Sequence, residues 1–283
     1  MASSISLVID RFAEDLAQAG RVLHLCIEGL VSVSRMTPLV EALANLDETT
    51  GGDASRHDVN AARQRANFAQ SEIDNDFPVL HGQAIVASWG LLEAMVEDLV
   101  VCSLADEPKY RTSDALSRVK ITLGQYDSLN EEERMRYLAR EYARQSSADL
   151  KKGAAAFETL LGPVGLAGAL ADDVRRDLFE LSQVRNVLVH RSGVADRRLL
   201  ESCPWLDLQV GEKIRITHGV YAVYSWAIND YVVTLLEREI VRCGHTPDHA
   251  SAVMGPHHHP RPTKSPETNS DTGALPEADT AED

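Results

Sequence analysis

The chain has 283 residues, 44% apolar, 5% aromatic and 25% charged, with a formal net charge of −15 at pH 7. This length holds one large domain with additions, or two small ones, and supplies enough apolar surface for a core. A uniformly acidic surface repels nucleic acid and anionic membranes, so any RNA contact requires a local basic patch.

Scarce aromatics with frequent Ala, Leu and Glu favour helix over sheet. Cys26, Cys102, Cys203 and Cys243 form no Cys-x-x-Cys pair, so neither a zinc site nor a redox motif is indicated. Met1 to Ser6 carries no basic run before an apolar stretch, which argues against a signal peptide. A cytoplasmic location is the simplest expectation.

From Ser4 to about Leu46 apolar residues recur at helical spacing, with Leu16, Leu23, Ile27 and Leu30 on one face. Pro38 is expected to kink or restart that helix. Asp47 to Asp53 reads as a linker. A polar helix follows from Asp58 to about Asp74, and Pro78 marks the next break.

After Pro78, Ile85, Trp89, Leu92, Val96 and Leu99 recur at steps of four, three, four and three, one buried stripe. Glu93, Glu97 and Asp98 interrupt the apolar run, which makes it a core helix and not a membrane span. Glu93 lies four residues after Trp89, at the edge of the stripe. It either reaches solvent or faces a basic site.

Between Asp106 and Gly168 two or three more helices are expected. Asn130 and Glu133 have capping-box spacing before a helix over Glu131 to Gln145. Arg134, Arg136, Arg140 and Arg144 on that helix, interleaved with acids, read as a solvated face. The next helix starts near Asp172, buries Val174, Leu178, Leu181 and Leu188, and ends with Gly193 as its C′ residue. A hairpin is predicted from Leu206, Leu208 and Val210 through Gly211-Glu212 to Ile214 and Ile216. A last helix runs from about Thr217 to Cys243, with Val220, Val223, Tyr224, Ala227, Tyr231 and Leu235 inward and Gly244 as its stop.

Six of the eleven prolines lie beyond His245, in an acidic stretch expected to be disordered. His257, His258 and His259 within it read as a low-complexity run with at most weak metal affinity. The expected organisation is a helical extension over 1–50, a helical domain over 59–243 and an acidic, proline-rich tail over 244–283.

The chemistry-bearing cluster is Arg185-Asn186-Val187-Leu188-Val189-His190-Arg191. Asn186 and His190 are four apart and share a helix face. Arg185 lies further round the cylinder, but its long stem can bring the guanidinium toward the imidazole. A helix C-terminus favours a protonated imidazole, which can move protons near neutral pH. The arginine fork suits phosphate oxygens and developing charge. From Arg175 to Arg198 six arginines face three acids, a local charge of +3 in an acidic chain. Equally, a histidine in a last helical turn can simply cap carbonyls.

The stretch Gln183 to Gly193 resembles the Arg-x4-6-His motif of the HEPN superfamily, in which a polar residue, often Asn, follows the Arg. The helix with Trp89 and Glu93 is similar to an early helix of that family, and the resemblance covers roughly residues 59–243. It implies an all-α, HEPN-like bundle with a small two-stranded hairpin before the last helix. It further implies a homodimer whose facing motif helices form one composite site. Active members are metal-independent endoribonucleases without cofactor, often toxins or antiviral effectors. Carried over, Arg185 would stabilise the phosphorane, His190 would transfer protons and Asn186 would orient His190 or a phosphate. Arg191 and Glu93 would lie on the substrate side. RNA is then the substrate, with a cognate antitoxin or defence protein as possible partner and no membrane association. The alternative is a non-catalytic HEPN module that binds another defence component such as a nucleotidyltransferase.

Overall fold

The computed structural model describes residues 4–48, 55–146 and 152–247. Among these, ten α-helices make up the fold, 78% of residues are helical and no strand is present. The helices are α1 (Ser4–Glu48), α2 (Ser55–Asp74), α3 (Pro78–Asp106), α4 (Asp114–Ser117), α5 (Leu123–Ser128), α6 (Glu131–Gln145), α7 (Ala154–Leu161), α8 (Asp172–His190), α9 (Arg197–Ser202) and α10 (His218–Arg242).

Helix α3 is the axis of the bundle. The predicted stripe Ile85, Trp89, Leu92, Val96 and Leu99 is buried, and so are Met95, Val100, Val101 and Leu104 on its other faces. It packs against α1, α6, α7, α8 and α10. A helix apolar on several faces is stable in water only when neighbours cover it. Each fully buried Leu or Val contributes about 1.5–3 kcal/mol relative to exposure. Pro78 therefore starts this helix rather than merely breaking the chain, because its missing N–H is one of those that a first turn leaves unpaired anyway. Asp76 and Phe77, both left-handed at φ 63° and 54°, make the sharp reversal from α2. Buried Glu72 of α2 then accepts a hydrogen bond from the Val79 N–H at 3.1 Å, in place of a local cap.

Helix α1 is continuous through Pro38, so the expected restart does not occur, and the helix extends over Asp47 and Glu48. Its first turns enter the core through Ile5, Ile9 and Phe12. Further along, Leu16, Leu23, Ile27 and Leu30 are half-buried as predicted, and α1 packs along α2. On its other sides Val22, Leu25, Val33, Met36 and Leu39 stay exposed, as does Phe68 of α2. Residues 4–36 form the one described helix long and apolar enough to cross a membrane by length and composition.

The Asn130–Glu133 capping box is present, with both reciprocal hydrogen bonds at 2.9 Å. Arg140 and Arg144 lie on the solvated face expected of them, at 67% and 66% exposure, whereas Arg136 is drawn in toward α3. Arg136 donates to Glu97 at 3.2 Å and to Asp98 at 2.8 Å, and Arg140 donates to Glu97 at 3.0 Å. The carboxylates that interrupt the apolar run of α3 are the partners of α6.

Helix α10 carries the predicted inward residues Tyr224, Ala227, Tyr231 and Leu235, and Gly244 closes it at φ 78°. Two arginines on it hold the irregular chain around residues 162–171. Arg238 donates to Glu158 at 2.9 and 3.1 Å and to the Leu166 and Ala169 carbonyls. Arg242 reaches the Val164 carbonyl, Ser103 and Tyr110.

No ladder forms over Leu206–Ile216. The segment is a loop closed by a single antiparallel bridge between Val194 and Lys213, with Ala195 bonded to Glu212 and Gly211. The alternating apolar residues are used differently: Ile216 is fully buried and Leu206, Leu208 and Ile214 pack on the helical core. The expected tail beyond residue 247, with His257, His258 and His259, lies outside the described residues, and so does the expected linker over 49–53.

Gly153 fixes α7 against α8. It has φ 59°, and a Cβ there would fall 2.6 Å from the Phe179 Cα. Both the left-handed backbone and the close approach exclude a side chain. Gly153→Ala is expected to cost about 2–3 kcal/mol through strain and forced separation of the two helices. Chemical denaturation of the variant beside wild type measures this directly.

Candidate functional site

Helix α8 starts at Asp172, one residue earlier than a cap at that position would place it, and Ala171 takes the N-cap position without a side-chain hydrogen bond. Its end comes from a reversal in which the Arg191 and Gly193 N–H groups both bond the Val187 carbonyl, at 2.9 and 3.1 Å. Ser192 at φ 53° takes the first left-handed position and Gly193 at φ 76° the second. The motif therefore occupies the final turn and a half of a helix, and the loop carrying Lys213 and Ile214 bonds the chain just beyond it.

Within the motif, Val187 is buried and Leu188 half-buried, while Asn186, Val189 and His190 are exposed. The apolar residues thus anchor the turn and the polar ones face out. Arg185 differs from its neighbours. Its side chain is only 25% exposed, and its Nη2 lies 3.5 Å from Glu93 Oε2. Nη1 makes a long 3.4 Å contact with Asn186 Oδ1, while Nε is buried without a hydrogen-bond partner. Glu93 in turn accepts from the indole N–H of buried Trp89 at 2.7 Å. The two options open for Glu93 thus combine, because it is half exposed and it faces the arginine.

The structure brings Arg185, Asn186, Glu93 and Trp89 together. His190 stands on the same helix one turn beyond Asn186, with no hydrogen bond to Arg185 or Asn186 among the described residues. Arg191 reaches away from the motif toward Asp196, its Nε 3.7 Å from the carboxylate that caps α9. One chain therefore offers a semi-buried cation with loose contacts and, further along the same helix, an exposed imidazole with no hydrogen bond to it. The long distances around Arg185 leave its donors available to a stronger acceptor such as a phosphate.

No cluster of three or more His, Cys, Asp or Glu suited to a metal occurs among the described residues. The cysteines are all free thiols, and burial followed by the nearby Glu180 charge pushes the Cys203 thiol up to about 12. Such a thiol is not a nucleophile near neutral pH. Comparison with family models, curated proteins and solved structures gives no match.

A second titratable cluster borders the same helix end, and sequence reasoning missed it. Gly82 of α3 is open toward Leu188 of α8 and Ile216 of the loop, each 3.8 Å from where a Cβ would stand. Beside it, buried His81 stacks on Tyr221 at 5.1 Å, meets His218 at 5.5 Å and bonds the Asp76 carbonyl at 2.9 Å. Burial lowers the His81 pKa, against the opposing pull of the Asp76 carbonyl and carboxylate. A stacking aromatic at i, i+3 in α10 (His218, Tyr221) was the signal available in the sequence.

Two predictions follow from this geometry. Glu93→Ala removes the acceptor of the buried Trp89 N–H and the partner of Arg185. It is expected to destabilise by about 1–3 kcal/mol, with Glu93→Gln costing less because an acceptor remains. Urea unfolding of the three proteins compares them. The second concerns pH. Burial favours the neutral form of His81 in the folded protein, while the unfolded chain takes up its proton below about 6.5. The stability from neutral His81 is therefore present above that pH and lost as pH falls. Between pH 7.5 and 5.5, wild type should lose stability relative to His81→Phe, which keeps the stack on Tyr221. Unchanged spacing between the two melting curves would refute this.

Proposed function

We propose that this chain is a metal-independent endoribonuclease of HEPN type, working as a homodimer with Arg185 and His190 in its active site. The observation that carries the proposal is Arg185. It is half-buried at the end of α8, beside an exposed Asn186 and His190, and its buried Nε lacks a hydrogen-bond partner. Desolvating a guanidinium without saturating its donors costs free energy, and such arrangements belong at functional sites. The resemblance of residues 183–193 to the HEPN motif supports the same reading.

In this reading the ribose 2′-hydroxyl attacks the adjacent phosphorus. An imidazole removes its proton, and the proton is returned to the departing 5′-oxygen. The products are a 2′,3′-cyclic phosphate and a 5′-hydroxyl. Arg185 bears on the phosphorane oxygens, where charge accumulates. Asn186 holds a phosphate oxygen or the imidazole. Glu93 positions the guanidinium by an ion pair loose enough to yield to phosphate. Because His190 makes no contact with Arg185 in one chain, a second copy with its α8 opposed completes the site. Val189, 46% exposed between Asn186 and His190, provides apolar surface for that contact.

A specific observation also favours a non-catalytic binding module. The Glu93 carboxylate partly neutralises Arg185, and His190 is not oriented by any described group. A module of this kind would bind a defence partner such as a nucleotidyltransferase through the same α8 tip.

Purified protein in EDTA should cut single-stranded RNA and leave cyclic phosphate ends. His190→Ala is expected to lower the rate about 10²–10⁴-fold, the usual contribution of general acid–base catalysis. Arg185→Lys should also fall, since an ammonium lacks the planar fork. Equal cleavage by His190→Ala, or cleavage abolished by EDTA, overturns the proposal. Absence of cleavage with stable capture of a partner protein supports the binding module.

A further inference from the structure

The proposed active site uses the C-terminal end of α8. The opposite end carries a separate cleft of about 580 Å³, open to solvent, bounded by the first turns of α7 and α8 and by the loop bearing Trp205. That volume is in the range of small-molecule sites. Its walls combine Lys152, Arg175 and Arg176 with the rings of Phe179 and Trp205. Asp172 is the single carboxylate among the lining residues, so three cations face one anion.

The cations remain available. Lys152 Nζ donates to the Ser202 hydroxyl at 3.1 Å, which leaves its charge intact. Arg176 lies over the Trp205 ring at 4.8 Å and pairs with no carboxylate among the described residues. Arg175 holds Asp172 at 2.7 Å, but both are well exposed, and such a surface pair is weak enough to exchange for a phosphate.

The aromatic platform is fixed in place. The Trp205 indole N–H donates to Glu180, whose other oxygen accepts from the Tyr224 hydroxyl at 2.8 Å. Phe179 stands beside it, with ring centroids 6.4 Å apart. Glu180 is thus occupied by two hydrogen bonds at the edge of the indole, away from the open cleft. Trp205 nevertheless stays 40% exposed, although an indole of this size gains from burial. An anchored, exposed aromatic among three cations with one carboxylate between them matches a base to be stacked and a phosphate to be held.

We propose that this cleft is a nucleotide-binding subsite. The base stacks on Trp205 with the tilted Phe179 ring at its edge, and the phosphate is taken by Arg175, Arg176 and Lys152. Leu181, Ser182, Gln183 and Val184, a full turn of α8 between the cleft and the motif, are buried, so the two are separate surfaces. The subsite does not rest on the proposed ribonuclease reading.

The test measures binding without cleavage. A fluorescent oligoadenylate with 2′-O-methyl riboses, which has no attacking hydroxyl, is titrated with the full chain and followed by anisotropy. AMP and inorganic phosphate are titrated separately as competitors. Saturable oligonucleotide binding should weaken about tenfold in Trp205→Ala and in the double variant Arg175→Gln/Arg176→Gln. Trp205→Phe should stay within about threefold of wild type, which guards against misfolding as the cause. Competition by AMP well above that by phosphate assigns the site to free nucleotides. Binding of the oligonucleotide with little competition from AMP assigns it to a strand. No saturable binding of either probe, or binding unchanged in both Trp205→Ala and the arginine double variant, overturns the proposal. Phosphate competing as well as AMP overturns it too, because no base is then being recognised. A protein that binds here but cuts no RNA refutes the ribonuclease and leaves the subsite standing.

Discussion

The constraint behind this fold is the central helix α3, buried on several sides and exposed along Gln83, Ala87 and Ala94. Each polar group on the buried sides must find a partner, within α3 or on a neighbouring helix, or remain desolvated at a cost of about 1–3 kcal/mol. Six side chains answer that demand. The Trp89 indole turns to Glu93, and Glu93 to Arg185 of α8. Glu97 and Asp98 draw in Arg136 and Arg140 of α6. Ser103 bonds within α3 and also receives Arg242 of α10. His81 is met by the aromatic start of α10. The carboxylates that break the apolar run therefore specify which helix lies where around it.

The same demand explains the placement of the candidate site. Arg185 is held at the α3–α8 crossing because Glu93 is there, and Glu93 is tolerated there because the Trp89 N–H and the arginine share it. The consequence is a guanidinium that is only partly satisfied, with one nitrogen buried and unpaired. A fully solvated arginine at this position would be ordinary. A fully paired one would be structural, as Arg238 is with its carboxylate and two carbonyls.

Much of this was legible in the sequence wherever one local rule decided the outcome. The stripe of α3, the Asn130 capping box, the inward face of α10 and the Gly244 stop depend on neighbours within a few residues, and each is present. The misses share a different cause. Pro38 does not interrupt α1. The alternating residues of 206–216 form a loop because Ile216 and its neighbours bury against helices instead of against a second strand. Arg136 looked solvated because its partners, Glu97 and Asp98, are about forty residues away. The cleft at Trp205 was invisible for the same reason. It is assembled from three separate segments, and no spacing rule links Lys152, Arg176 and Trp205.

The exposed ridge of α1, with Val22, Leu25, Val33 and Met36, sits on a chain of net charge −15. Two forces of different range act there. Repulsion between like-charged molecules reaches about 30 Å at 10 mM ionic strength and about 3 Å at 1 M, whereas apolar attraction acts only at contact. Any association made through this ridge therefore tightens as salt is added. Phosphate contacts of the kind proposed for α8 would respond in the opposite sense, because they depend on counterion release. Ionic strength thus separates the two surfaces: low salt favours binding of phosphate by arginines, and high salt favours association through apolar side chains.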